Sequence, residues 1–498
     1  MMKLRPYQVE DLKVLINGHE GNAVVASQMG TGKTLLAVAL AKYIEAGRAL
    51  IIAPLNTHQT WRSTILDQMP DAKVYVKPAG SSKTAESREW NARVWEQREG
   101  FYIIGWEAFR GSPTPEQRRK RKEVEKYHRS VGLPLPEKEL NQVWYPTGMW
   151  DLVVADEVHR ASNRKSTTWK TLTTLHAKRK VAMSGTPAGN KVEGFWSILN
   201  WLWPEEHKYF WPWVQKYCLT EFDPHAGRKV VGEQDDGVIV KSIPTYVRRT
   251  TSEVIKDLPE VIERKVYVKL KGGVQAKAYA ELEDQAFTWL EGQPLHTPIP
   301  ITMSMRLRQI ALGVPRVNPI EEWDEDGNQK ILVDFAKDTK SNKIDVLKDI
   351  VEDIPSDEPV LILTHSARFV VPVVYQLNKM RAGLAVAWTG DTSQAGRQAI
   401  MKDFGKRGGP RFIVAGIAAI GEGVDGLQKR CHHEIWLSQH DNNLLNQQAQ
   451  GRLHRSGQSQ PVQRWIIQSE GTVDTKVYTR LEGNAKQMKA AYKKENPR

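Results

Sequence analysis

The stretch Ser27-Gln28-Met29-Gly30-Thr31-Gly32-Lys33-Thr34 gathers residue types suited to holding a phosphate group. Glycines one residue apart let successive backbone N–H groups turn inward around an anion. A lysine follows that can reach terminal phosphates, and then a threonine whose hydroxyl can ligate Mg²⁺. Ser27 stands where the strict pattern has glycine. A second stretch, Asp151-Leu152-Val153-Val154-Ala155-Asp156-Glu157-Val158-His159, is an apolar run ending in two acids. Asp156 is placed to hold Mg²⁺, and Glu157 to orient and deprotonate an attacking water. Each stretch has a plainer reading when taken alone: a glycine turn, or a strand ending in a solvated acidic turn. Together they point to hydrolysis of a nucleoside triphosphate, with Met29 to Thr34 and Asp156 around the nucleotide. A third stretch runs from Gln447 to Gln458 and carries Arg452 and Arg455, three residues apart. On a helix these arginines share a face, and guanidinium groups stabilise the charge that develops on a transferring phosphoryl group. Gln448, Arg452 and Arg455 are grouped with Glu157 as catalytic candidates. The competing reading of this stretch is a basic surface helix.

These residues need rigid elements to bring them together. The run Ala23-Val24-Val25-Ala26 before the glycines reads as a strand, and Leu35 to Ala41 after them as a helix. Further buried-type strands are expected at Ala49–Ala53, Phe101–Ile104, Asp151–Asp156 and Lys180–Met183. A second alternating series follows at Val360–Thr364, Ala385–Trp388, Arg411–Ala415, Glu434–Leu437 and Arg464–Ile467. Strands alternating with helical runs predict two parallel sheets in tandem, an α/β fold with helical insertions. The expected domains are a first lobe over 1–250, a linker and helical insertion over 251–345, and a second lobe over 346–498 that ends in a basic helix. A charged, proline-bracketed insertion is expected at 113–140, and a loop at 321–329. Trp196, Trp201 and Trp203 fall at spacings shared with Leu199 and Leu202, which favours core packing over base stacking.

The chain has 498 residues, with 71 Lys and Arg against 58 Asp and Glu, a net charge of +13. This balance favours a polyanionic partner, with a solubilising surface as the alternative. For backbone contacts to nucleic acid the candidates are Asn56 and Thr57 after the second strand, Trp106 after the third, and Gly421 in a glycine-rich turn. Gln8 lies just upstream of the glycine loop, and its amide can both donate to and accept from an adenine edge. Two cysteines, Cys218 and Cys431, exclude a disulfide framework. Cys431, His432, His433 and His440 match no common zinc spacing, and the two adjacent histidines would point to opposite sides of a strand beginning there. No signal-peptide core and no run of membrane-spanning length occur, so a cytoplasmic protein in a reducing compartment is expected.

The motifs resemble those of superfamily 2 helicases, and specifically the SWI/SNF-type DNA translocase ATPases, from about Leu4 to about Tyr478. Met29 to Thr34 matches the first motif, and Asp156-Glu157-Val158-His159-Arg160 resembles the DEAH-type box with valine in place of alanine. Gly185-Thr186-Pro187, Arg248-Arg249-Thr250 with Leu258-Pro259, Arg306-Leu307-Arg308-Gln309-Ile310 and His454-Arg455-Ser456-Gly457-Gln458 resemble further family stretches. The Gly421 to Asp425 stretch departs from the family's usual Gly-Leu-Gly-Leu-Asn. The resemblance implies two RecA-like lobes, ATP and Mg²⁺ in the cleft, and movement along double-stranded DNA. It implies that Gln8 and Lys33 bind nucleotide and that Arg452 and Arg455 act as arginine fingers. The absence of appended modules resembles compact bacterial or phage forms, which would be nucleoid-associated. A strand-separating DNA or RNA helicase is the alternative, and a non-enzymatic nucleic-acid clamp a third. If the basic surface grips phosphates, log K for duplex DNA will fall linearly with log salt, by about 0.9 for each phosphate contacted. A flat response in a fluorescence-anisotropy titration would remove that role.

Overall fold

The computed structural model describes residues 3–78, 84–111, 119, 150–223, 227–255, 257–270, 273–290, 293–296, 300–323, 329–421 and 426–492. The charged insertion expected at 113–140 lies outside these apart from Arg119, as does most of the glycine-rich turn after Gly421. The chain divides into two compact units. The first is Met1–Lys256 with Lys486–Arg498, and the second is Asp257–Ala485.

The first unit carries β1 (Ala23–Val25), β2 (Arg48–Ala53), β3 (Val74–Val76), β4 (Gly100–Gly105), β5 (Trp150–Asp156) and β6 (Ala177–Met183). It continues with the hairpin β7 (Cys218–Asp223) and β8 (Gly227–Glu233), and then β9 (Tyr246–Val247). Seven of these strands form one parallel sheet in the order β3-β4-β2-β5-β6-β1-β9. A parallel sheet is covered on both faces, so its strands read as continuous apolar runs. Successive residues nevertheless alternate between two cores. Val24, Leu50, Ile52, Val153 and Ala155 face one core, and Val25, Ile51, Ile103 and Val154 face the other. The first core is sealed by the helix Gly194–Leu202, where Trp196, Trp201 and Trp203 are all buried, so their rings are core and not base-stacking surfaces. The second is sealed by α2 (Lys33–Tyr43) and α3 (His58–Gln68). The C-terminal residues Ala491 and Tyr492 also belong to the first core. The Tyr492 hydroxyl accepts from the Ala188 N–H at 3.1 Å, and its ring meets Phe195 edge-on.

The second unit carries β10 (Val261–Lys269), the hairpins β11 (Phe287–Leu290) with β12 (Gln293–His296) and β13 (Pro315–Trp323) with β14 (Gln329–Phe335), and β15 (Val360–Thr364). It continues with β16 (Ala385–Trp388), β17 (Phe412–Gly416), β18 (His433–Trp436) and β19 (Val462–Glu470). Six strands form a second parallel sheet, β10-β19-β18-β15-β17-β16. The expected pair of parallel sheets is therefore present. Within the segment 251–345, read from sequence as linker, β10 pairs with β19 from Val261↔Val462 to Lys269↔Glu470. Its alternation of Glu263, Lys265 and Tyr267 with only one deeply buried apolar residue, Val268, hides an edge strand from a search for apolar runs.

Trp201 is 2 % exposed in the last turn of the helix that covers the first core. Trp201→Ala is expected to lower unfolding free energy by about 3–5 kcal/mol, read as an earlier midpoint in urea denaturation.

Candidate functional site

Between β1 and α2 the chain makes a tight loop. Gly30 and Gly32 both have φ of 78°, the left-handed region that glycine enters without a Cβ penalty. A Cβ on Gly32 would also lie 2.4 Å from Gln8 Nε2, so a side chain there would displace the Gln8 amide from the loop. Gln8 sits on α1 (Pro6–Ile16), with its side chain buried. Its amide nitrogen donates to Gly32 O at 3.2 Å, and its oxygen accepts from Arg5 N–H at 2.9 Å. Tyr7 adds a hydroxyl donor to Thr31 O at 2.9 Å. Lys33 is folded back over the loop, its ammonium donating to Gln28 O at 3.1 Å. Ser27 has a use that glycine would lack: its Oγ accepts from the Arg249 N–H at 3.0 Å. Gln28 extends this seam, its Oε1 accepting from Thr251 N–H at 2.8 Å, while Thr251 Oγ1 donates to Met29 O at 3.1 Å.

The acidic pair closes β5, which is separated from β1 by β6. Asp156 is buried. Its Oδ2 accepts from the Trp61 indole N–H at 3.1 Å and its Oδ1 from Glu157 N–H at 3.0 Å. Glu157 has φ 52° and ψ 48°. A non-glycine residue there costs on the order of 1 kcal/mol or more and persists only when its surroundings hold it. Ser184, just past the end of β6, donates its hydroxyl to Glu157 Oε2 at 3.1 Å. His159 Nδ1 lies 3.2 Å from Glu157 Oε2 and 3.1 Å from Ser184 Oγ, so the three side chains form one polar cluster. Burial, and then the adjacent Glu157 charge, push the Asp156 carboxyl up to about 6 despite the Lys33 charge. Burial opposes the Glu157 charge too, but hydrogen bonding and charge from His159, with the charge of Lys33 and the Ser184 hydroxyl, hold Glu157 well below the usual carboxylate range. Lys33 thus acts on both acids, which makes the glycine loop and the acid pair one site. The two acids occupy opposite protonation regimes, a proton acceptor beside a carboxyl that keeps its proton longer. The donors fit Mg²⁺ and a triphosphate: an amide-lined glycine cradle, an ammonium held by one carbonyl, and a carboxyl whose charge burial makes costly until a cation joins it.

In the second unit, Gln448 lies on the helix Asn443–Gln450 and is partly buried. Arg452 and Arg455 fall in the turns beyond it, so the helical face expected for them is absent. The chain leaves the helix because its own polar groups lead it elsewhere. His454 Nε2 meets Pro259 O at 3.0 Å, Gln458 Nε2 donates to Cys431 O at 3.0 Å and to Leu453 O at 3.3 Å, and Gly457 takes φ 89°. Arg452 is buried, donating from Nη2 to Gly421 O. Gly421 is itself buried, so both the residue and its carbonyl are engaged inside the unit instead of facing a nucleic acid. Trp106 departs from expectation in the same way. It is 2 % exposed, donates its indole N–H to Asp156 O at 2.8 Å and packs edge-on to Phe109. Its bulk and its single donor are both used beneath the acid pair. Asn56 is exposed, whereas Thr57 is half-buried and donates its hydroxyl to Pro54 O at 2.8 Å.

Residues 7–311 match the family model for the SNF2-related domain, more than half of the chain. The chain belongs to the SNF2-related family. It is 26 % identical over 297 residues to the chromatin-remodeling ATPase INO80 of Pyricularia oryzae, covering 57 % of this chain and 14 % of that protein. It is 25 % identical over 300 residues to INO80 of Neurospora crassa, covering 57 % and 13 %. The chain thus spans about one seventh of the length of the curated relatives it matches. Among solved structures, a Sulfolobus solfataricus SWI2/SNF2 ATPase core in complex with dsDNA aligns over 97 % of this chain and 91 % of that one, at 22 % identity and a TM-score of 0.38.

All the first-unit site residues fall inside the SNF2-related match, whereas Gln448, Arg452 and Arg455 lie beyond it. Several residues of this SNF2-related site had no role assigned from sequence. His159 stood in the acidic motif, but only the fold brings its ring to Glu157 and Ser184. Trp61 is ninety-five positions from Asp156, and no local signal marks the hydrogen bond between them. Arg249 is tied to Asp11 at 2.7 Å and Glu10 at 3.1 Å, which anchors the seam beside Ser27. One pH dependence follows. The folded value of Asp156 lies above that of an unfolded aspartate near 3.9, so the native state keeps its proton longer. Its contribution to stability is therefore lost as pH rises from about 4 through about 6. In ligand-free protein, Asp156→Asn should remove a decline on the order of 1–3 kcal/mol across that window. Paired urea melts of wild type and variant at pH 4.5 and pH 7 are the measurement, and their difference reports Asp156 together with its effect on Glu157.

Proposed function

We propose that this SNF2-related chain is an ATP-dependent motor that moves along double-stranded DNA without separating its strands. The observation that carries the reading is the acid pair Asp156 and Glu157, with Ser184 and His159 set against Glu157, in the same sheet as a loop whose two glycines hold φ of 78°. In this reading the backbone N–H groups from Met29 to Thr34 and the N-terminal end of α2 hold the phosphates of ATP. Lys33 exchanges its bond to Gln28 O for a phosphate oxygen. Thr34 and Asp156 hold Mg²⁺, which when bound offsets the charge of the phosphate oxygens. Glu157, kept ionised by His159 and Ser184, orients the attacking water and takes its proton. Gln448 and Arg455 of the second unit are assigned to the charge that develops on the γ-phosphate, and Arg452, buried against Gly421 O, would have to exchange that bond to join them.

The assignment of duplex DNA is supported by the net charge of +13 and by the SNF2-related membership, with relatives named chromatin-remodeling ATPases. Contacts to the phosphodiester backbone would be largely blind to sequence. ATP and DNA together set the activity inside a cell. Glu157→Gln should lower kcat by ~10²–10⁴ while leaving ATP binding intact. Arg455→Ala should lower it by ~10³–10⁵. Stimulation of wild-type ATPase by duplex DNA, with triplex displacement and no release of a partial-duplex strand, is the expected pattern. Stimulation by single strands alone, or strand release, would replace this reading with a helicase, and unchanged phosphate release in Glu157→Gln would overturn both.

A further inference from the structure

A separate cluster lies in the second unit, at the N-terminal ends of its strands. Val360 of β15 pairs with His433 of β18, so Glu358, two residues before Val360, comes beside His432 and His433. The strand begins at His433, and His432 precedes it. The alternation expected of two strand residues therefore does not apply, and both imidazoles face Glu358. His433 Nε2 is hydrogen-bonded to Glu358 Oε2, and His432 Nε2 lies 3.6 Å from the same oxygen. The imidazole centroids are 4.1 Å apart, and one ligand atom from each of the three residues lies within 4.8 Å of the others. A tetrahedral metal with bonds of about 2.0–2.2 Å sets its ligand atoms roughly 3.3–3.6 Å apart, so side-chain shifts on the order of 1 Å would bring all three onto one ion.

The surroundings favour nitrogen ligation over an ordinary surface ion pair. His433 is 6 % exposed, its ring stacks on Trp465 with centroids 5.5 Å apart, and its Nδ1 is buried without a hydrogen-bond partner among the described residues. Cys431 is not a candidate ligand. It is buried, and its sulfur already donates to Pro359 O at 3.1 Å. Beside the cluster is a cavity of about 300 Å³ lined in part by Asp353, Gln463 and Trp465, which leaves room for water or the Asp353 carboxylate as a fourth ligand. The Arg411 guanidinium, which donates to Glu358 O at 3.0 Å, opposes a cation held by charge alone. That leaves the imidazole nitrogens as the reason a cation would stay, and so favours a borderline transition metal over Mg²⁺ or Ca²⁺.

We infer that Glu358, His432 and His433 form a three-ligand site for a divalent transition metal of the zinc type, with an open fourth position toward the cavity. A bound ion clips the start of β15 to the start of β18. Ligands in open parallel sheets bind at the carboxyl ends of the strands, so this site lies at the other pole of its sheet from that position. It is independent of the Lys33, Asp156 and Glu157 site, and its failure would leave the proposed motor activity untouched.

The test uses untagged full-length protein freed of metal by chelation. Calorimetric titration with Zn²⁺ should give one site per chain that excess Mg²⁺ does not displace, and Co²⁺ should give the visible absorption of tetrahedral coordination. His432→Ala and Glu358→Gln should each weaken Zn²⁺ at least about 100-fold and abolish the Co²⁺ band, with far-UV circular dichroism unchanged. If His432→Ala does not fold, Glu358→Gln, which keeps the side-chain volume, decides the matter. Zn²⁺ affinity equal to wild type in a folded variant, or no Co²⁺ band in the wild type, overturns the site.

Discussion

The interaction on which the first unit depends is the pairing of two adjacent carboxyls at the end of a buried strand, whose charges the nearby Lys33 offsets. Asp156 and Glu157 are consecutive at the end of a central strand, where solvent cannot screen them, so they cannot both carry charge without help. Lys33 acts on both, but His159 and Ser184 act on Glu157 alone. The asymmetry of partners turns two chemically similar acids into different groups. A left-handed Glu157 backbone makes the asymmetry possible, because it turns the second carboxylate away from the Trp61 indole and toward the end of β6.

The parallel sheet supplies the rigidity that such a contact requires. Placing β6 between β1 and β5 brings Ser184 to the acid pair and keeps the glycine loop one strand away. The hydrogen bonds of β9 to β1 then continue as the seam from Ser27 and Gln28 to Arg249 and Thr251. A loop with two left-handed glycines would be entropically costly to hold alone. Here Gln8, Tyr7 and the 249–251 segment hold it from two sides.

The two units treat their polar motif residues differently. In the first, motif residues converge on one another. In the second, His454 and Gln458 satisfy backbone carbonyls of Pro259, Cys431 and Leu453, and buried Arg452 serves Gly421 O. A motif read as chemical is therefore partly a fastening, because buried carbonyls beyond a helix end need donors. The same demand leaves Arg455 as the less buried arginine of the pair.

The strands of both sheets, the glycine loop, the acid pair and the tryptophan core were legible along the chain, because apolar runs, glycine spacing and strand-terminal acids are local patterns. β3, β9 and β10 were not, since edge strands of two or three residues and a half-exposed one carry no long apolar run. Nor were Trp61 and the orientation of the His432 and His433 rings, which depend on where a neighbouring strand starts. Trp106 and Gly421 were misread because composition records that a side chain can stack or a backbone can approach, but not whether burial has already used it. By itself the sequence determined which chemistry the residues could perform, since that resides in functional groups and their local spacing. Tertiary structure decided which groups are charged, buried or already bonded, because desolvation and hydrogen bonding arise from atoms that are distant in the chain.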